Sequence, residues 1–318
     1  MWKFIIRRMI VAIPVLFVIS VLDFGFIALA PGDPLQAMLP QGDADMGGVT
    51  EEVYENTGLS DSIPVRYIKW VGEVAQGNFG TSFRTGEPAI EAIAKAVPNT
   101  VRLTLTAAII AIVVGIPLGI LAALREGSLL DELLTLFSYT IASIPGFFLA
   151  LIAVFVAAVK YHIFPATGAS SIGSDTGFLD SLHHLILPAT VLGILQTPGY
   201  IRHLRGSVLE TMREDYVRTA RAKGLSESVV VIRHVMRNAL MPVVTIMGLQ
   251  IPVLVGGSVL IEQVFAWPGL GTLSIQSALF RDYPVFMGTA LLYAVAVLVS
   301  STVTDIAYAI VNPRVRYA

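Results

Sequence analysis

Six long, largely apolar blocks dominate the chain, at about 9–30, 99–124, 133–159, 185–201, 239–265 and 285–311. Crossing a hydrocarbon core of about 30 Å takes about 20 residues in a helix, because only a helix or a closed barrel satisfies every backbone amide there. The alternating pattern of barrel strands is absent. The blocks therefore predict an all-α polytopic membrane protein with six transmembrane helices. Charged residues make up 14% of the chain, against about 25% in soluble domains. Too few polar side chains remain to coat a water-soluble enzyme of this length. Pro188, Pro198 and Gly199 are expected to interrupt the fourth block, which Arg202 closes.

Several function classes fall away on composition and motifs. A net charge of −2 lacks the concentrated basic surface that nucleic-acid phosphates require. With no cysteine there are no disulfides, thiolate nucleophiles or cysteine metal ligands. The phosphate-cradling G-x-x-x-x-G-K-[ST] loop, the H-E-x-x-H metal pair and the G-x-S-x-G elbow are all missing. No catalytic residue, metal site or cofactor is therefore expected in this chain, and any energy from ATP must enter through another polypeptide. His183 and His184, with His162 upstream, offer a metal reading. Neighbours on a helix point about 100° apart, however, and solvated interfacial histidines are the simpler account.

Orientation follows from Lys and Arg, since basic loops tend to stay cytoplasmic. With the N-terminus inside, 14 basic residues fall on inner segments and 6 on outer ones, with Arg102 at a border. Both termini are then cytoplasmic. Loop 31–98 holds ten acidic and four basic residues, whereas 202–238 holds eight basic and four acidic. Lys3, Arg7 and Arg8 ahead of an apolar run ending Ala28-Leu29-Ala30 also resemble a cleaved signal peptide. At about 22 residues the run is long for that role, which favours a retained first helix.

Three non-membrane pieces remain. Segment 31–98 carries Pro31-Gly32-Asp33-Pro34, an acidic stretch over 43–55 and a helical pattern at Val65, Ile68, Val71 and Val74, and it predicts a small external subdomain. Segment 202–238 predicts two short helices broken at Gly224-Leu225-Ser226. Segment 266–284 is a turn-rich outer connection. Among ionisable residues within the blocks, Asp23 and Asp305 stand out, each read first as a hydrogen-bonded structural group. Helix breakers Pro117, Pro145-Gly146, Pro198-Gly199, Pro242, Pro252 and Gly256-Gly257 are candidates for hinges, and Gln196 and Gln250 are polar candidates for lining a pathway.

The run Asp215-Tyr216-Val217-Arg218-Thr219-Ala220-Arg221-Ala222-Lys223-Gly224-Leu225, followed by Arg237-Asn238-Ala239-Leu240-Met241-Pro242, resembles the ATPase-coupling motif of permease subunits of ATP-binding-cassette importers. The version is that of the dipeptide, oligopeptide and nickel branch. Further matches are Ile6-Arg7-Arg8, Ala30-Pro31-Gly32-Asp33-Pro34, Gly77-Asn78-Phe79-Gly80-Thr81-Ser82, Val264-Phe265-Ala266-Trp267-Pro268-Gly269-Leu270-Gly271, Arg281-Asp282-Tyr283-Pro284 and Asn312-Pro313-Arg314-Val315-Arg316-Tyr317. They look like the first permease of the pair, which carries the larger external loop. One departure stands out: the family-wide Glu-Ala-Ala aligns with Arg218, Thr219 and Ala220.

The resemblance implies the type I importer permease fold: a first helix over 1–30, an extracytoplasmic subdomain over 31–98 and a permease core over 99–318. It implies a second homologous permease, two ATPase subunits that hold ATP and Mg, and an extracytoplasmic solute-binding protein. Residues 215–225 would dock the ATPase, which moves this helix as a rigid lever between inward-open and outward-open packings. Peptides are the first cargo it suggests, with nickel or oligosaccharides as the alternative. A stand-alone channel or ion-coupled carrier is the competing class.

Overall fold

Small residues explain how the longest helices meet. In the computed structural model, which describes residues 2–29, 61–171, 173, 177–240, 247–248 and 258–311, helix α3 runs over Ala89–Leu124. Its buried positions Leu103, Ala107, Ala111, Gly115, Gly119 and Ala123 recur every four residues, which places them on one helix face. Helix α6, Phe178–Met212, lies against that stripe. A Cβ on Gly115 would stand 2.6 Å from the Tyr200 Cβ, one on Gly119 3.0 Å from the Ile201 carbonyl, and one on Gly193 of α6 2.8 Å from the Ala107 carbonyl. Small residues let the two backbones approach, which is how helices associate in a bilayer that gives no hydrophobic drive between them.

The remaining helices are α1 (Trp2–Leu29), α2 (Ile63–Ala75), α4 (Leu129–Ser143), α5 (Gly146–Ala153, continuing as a π-helix over Val154–Lys160), α7 (Asp215–Ala222), α8 (227–239), α9 (Leu270–Leu279) and α10 (Tyr283–Val311). Among the described residues, α1, α3, α6 and α10 each contain a stretch long and apolar enough to cross a membrane, and the α4–α5 pair makes a fifth if counted as one span. The fold is that of an all-α polytopic membrane protein.

Two expectations change. Pro188 and Pro198 lie inside α6 without ending it. Each removes one intrahelical donor, and neighbouring helices sustain the rod. The third block is not one straight helix: α4 and α5 meet at 101°, with Ile144 extended before Pro145 and Pro145 capping α5. Proline disfavours the helical conformation in the residue before it, and the chain turns there. Most of the predicted fifth span, including Pro242, Gln250, Pro252, Gly256 and Gly257, lies outside the described residues, as do residues 30–60.

The chain divides into two compact units, one of Thr100–Trp267 and Val299–Ala318, the other of Trp2–Asn99 and Pro268–Leu298. In the first, Leu103, Ala107, Leu187, Leu192, Ile261, Phe265 and Trp267 form a buried core. Glu262, which the sequence reading passes over, has no exposed surface and accepts a hydrogen bond from Thr100 Oγ1 at 2.8 Å. At the start of α4, Asp131 takes Arg205 of α6 in a two-pronged pair, 2.6 Å to Nε and 2.8 Å to the terminal nitrogen. The Gly127 amide supplies a third donor at 3.0 Å.

In the second unit, two motifs separated by about two hundred residues join. The Asp282 carboxylate accepts from Ser82 Oγ at 2.5 Å and from the Phe83 amide at 3.0 Å. Tyr283 meets the Phe83 ring edge-on at 6.2 Å. Helix α2 carries Pro64 in its first turn, where the fixed φ of proline suits the helix. It packs on α1 through Tyr67, which shares a hydrogen bond with Ser20 at 2.8 Å and meets the rings of Phe17 and Phe24 edge-on.

Candidate functional site

Helix α6 ends at Met212, and after Arg213 and Glu214 the chain re-enters a helix at Asp215. Amides of Arg213 and Glu214 bond back to Glu210 and Thr211, at 3.1 and 3.2 Å, which makes a tight elbow. Helix α7 carries Asp215 in its first turn and Arg221 in its last, each placed where the helix dipole favours its charge. It stops at Lys223, and Gly224 turns the chain at φ 77, the left-handed conformation that glycine adopts without Cβ strain.

Helix α8 folds back on this hairpin. Its middle turn, Val230–Val235, is a π-helix, so residues five apart align and Val230 and Val235 share a face. They enter a core with Val217 and Ala220 of α7 and Tyr200, Leu204 and Val208 of α6. Polar ties close it. Asn238 Nδ2 donates to the Tyr216 hydroxyl at 2.7 Å, Ser207 Oγ donates to the Ala239 carbonyl at 3.0 Å, and Arg221 grips Glu227 across the turn at 2.6 and 3.1 Å. The Arg221 guanidinium holds the Glu227 carboxyl below its ordinary pKa, and the carboxylate raises that of Arg221.

This geometry sorts the sequence candidates. Asp215, Tyr216, Arg218, Thr219, Arg221, Ala222, Lys223, Gly224 and Leu225 are exposed. Ala220 is not: it is 4% exposed and turned into the chain's own core, so it supports the hairpin from within and offers no surface to a partner. Arg221 is committed to Glu227. Arg218 lies 3.7 Å from Asp215, and Lys223 makes no ion pair among the described residues. The outward face thus presents the Arg218–Asp215 pair, the cation of Lys223 and the ring of Tyr216. The sequence places Asn238 within the motif without showing its bond to Tyr216, and it does not single out Glu227 as the partner of Arg221.

The other candidates are scattered. Pro145 and Gly146 occupy the α4–α5 bend, and a Cβ on Gly146 would meet the Leu195 side chain at 3.1 Å. Gln196 is half-buried and Pro198 buried within α6. The histidine rings are committed to backbone: His183 Nε2 lies 2.7 Å from the Ile163 carbonyl, and His184 Nδ1 3.0 Å from that of Asp180.

Comparison with known proteins agrees with this architecture. Residues 115–317 match the family described as binding-protein-dependent transport system inner membrane component, and residues 1–104 match its N-terminal companion. The chain is 43% identical to the oligopeptide transport system permease protein AppB of Bacillus subtilis, covering 100% of both. It is 39% identical to the di/tripeptide transport system permease protein DppB of Pseudomonas aeruginosa, covering 100% of this chain and 99% of that one. The glutathione transport system permease protein GsiC of Salmonella paratyphi A is 38% identical over 100% of both. Among solved structures, an inward-facing MetNI methionine ABC transporter chain shares the fold, with a TM-score of 0.57 at 19% identity over 70% of this chain and 97% of that one. The chain therefore belongs to the family of binding-protein-dependent transport system inner membrane components, the membrane-spanning permease subunits of ABC importers.

Proposed function

We propose that this chain is the first of two homologous permeases in an importer of di- or oligopeptides, with both termini cytoplasmic. Two partner ATPases hold ATP and Mg, and an extracytoplasmic solute-binding protein delivers cargo. Relatives named for oligopeptides, di/tripeptides and glutathione support the cargo class. The 14-to-6 distribution of basic residues supports the orientation.

The observation that carries the coupling role is an exposed, charged helix mounted on a buried core that it shares with α6. The exposed face of Tyr216, Arg218, Thr219, Ala222 and Lys223 sits on a hairpin whose inner face shares one core with α6. A docked ATPase that displaces α7 must then displace α6 with it. ATP shifts the equilibrium only by its differential affinity for the closed ATPase pair, and the hairpin transmits that difference to the membrane helices.

Reversing the face tests this. Arg218→Glu with Lys223→Glu leaves the inner core untouched, so the permease should assemble with its partner permease while the ATPases no longer co-purify and uptake falls at least tenfold. Wild-type uptake and substrate-stimulated ATPase activity in the reconstituted complex would refute the docking assignment. Transport by the purified chain alone would refute the importer reading.

A further inference from the structure

A cavity of about 270 Å³ opens within the second unit, walled by Phe24, Trp70, Phe79, Phe83 and Tyr283, with Arg66 and Glu73 of α2 also lining it. The two charges stand seven residues apart, two helical turns, so they share a face about 10.5 Å apart along the axis. That is too far for them to pair directly. Arg66 makes no ion pair among the described residues, and the Glu73 carboxylate accepts from the neutral side-chain amide of Asn78.

We infer that this cavity is a subsite for short zwitterionic peptides, with Arg66 taking the carboxylate and Glu73 the ammonium group. An extended peptide advances about 3.3–3.6 Å per residue, so a chain of three residues, at about 10–11 Å, matches the gap between the charges and a chain of two falls short of it. A guanidinium takes a carboxylate in two parallel bonds, and aromatic faces accept both apolar side chains and an ammonium group. The volume lies just below the roughly 300–1,000 Å³ of drug-sized sites, which excludes long cargo from lying wholly inside. A lipid acyl chain would use the rings and neither charge, and a zwitterionic headgroup, with two methylenes between phosphate and ammonium, is too short to reach both Arg66 and Glu73. The walls are set in advance: Asp282 fixes Ser82 and Phe83, and Gly80, at φ 85, leaves only 3.3 Å between a would-be Cβ and Pro284. The inference rests on the peptide-import reading above and adds a place on this chain where the cargo is held.

The test uses the whole importer with its partner subunits in nanodiscs and the tripeptide alanyl-(p-benzoylphenylalanyl)-alanine as a photoprobe. Irradiation should label residues within 66–83, and free Ala-Phe-Ala should compete. Labelling should fall about tenfold when the probe is C-terminally amidated or N-acetylated, and equally with Arg66→Gln or Glu73→Gln, the loss expected for one charge-assisted contact. The same variants should raise KM for Ala-Phe-Ala uptake and leave the maximal rate in place. Saturable wild-type uptake without labelling of 66–83, or labelling indifferent to both blocked termini, overturns the subsite and leaves peptide import standing. Labelling of these residues by a photoactivatable phospholipid that Ala-Phe-Ala does not displace also overturns it, in favour of a lipid pocket. Failure of the wild-type complex to import any peptide defeats the peptide-import reading, and the subsite with it.

Discussion

Asn238 and Tyr216 join the two halves of the motif over 215–242, the amide nitrogen donating to the phenol oxygen at 2.7 Å. The contact gives a physical reason for both residues to occur in the motif, since it pins the exposed ring of α7 to α8.

Tyr216→Phe removes the acceptor and keeps the ring. A net loss of about 1 kcal/mol is expected for an exposed hydrogen bond of this kind, with coupling hit harder than stability. The ratio of peptide imported to ATP hydrolysed should drop in reconstituted complexes while the melting temperature in detergent moves little. An unchanged ratio would show that the bond has no part in coupling.

Ala220→Glu should act in the opposite way. It drives a carboxylate into a core of valines and leucines, where an unpaired charge is strongly disfavoured, so the yield of folded permease should fall before any question of docking arises. Size-exclusion profiles of Ala220→Glu beside Arg218→Glu separate internal packing from surface recognition.

Removing one partner of the Asp131–Arg205 pair strands the other. Asp131 is 5% exposed and Arg205 31%, so Asp131→Ala, which leaves a guanidinium that can reach solvent, should destabilise by less than about 3 kcal/mol, the low end for stranding a buried charge. Arg205→Ala in the same background should add little. Thermal unfolding of both single variants and the double variant measures the coupling directly.

The Arg221–Glu227 pair gives a small acid-sensitive increment. The Glu227 pKa is lowered in the folded chain, so its contribution is present above the ordinary glutamate pKa and is lost as pH falls through the lowered folded value. Both side chains are more than a third exposed, which limits the effect to under about 1 kcal/mol. Glu227→Gln should flatten that part of the acid limb in a pH series of melting temperatures.

Gly115→Val should be among the more damaging changes to α3, because its Cβ would lie 2.6 Å from that of Tyr200. Overpacking of this sort costs about 1–3 kcal/mol or more. A variant with wild-type thermal stability would show that α3 and α6 can separate freely at this level.

Legibility in the sequence followed the physics of each element. Long apolar runs announced the membrane helices because nothing else satisfies their backbone in lipid, and Gly224 announced the α7 stop because few other residues tolerate its φ. The prolines of α6 misled. A missing donor breaks a helix in water, but packing against α3 and α8 sustains this one. Ala220 misled differently, since a small side chain reads alike whether it faces a partner or its own core. The α3 stripe could have been found from its four-residue spacing of alanine and glycine. The Asp131–Arg205 pair could not, because its members are 74 residues apart and only the fold brings them together.

The alanine–glycine stripe also limits where this permease can bend. Two backbones so close that a single methyl group would collide cannot shear past each other, nor can they part without opening a void. From Ala107 to Gly119, α3 must travel with the facing stretch of α6 as one girder. Whatever alternation exposes cargo first to one side of the bilayer and then to the other has to be absorbed at joints away from that girder.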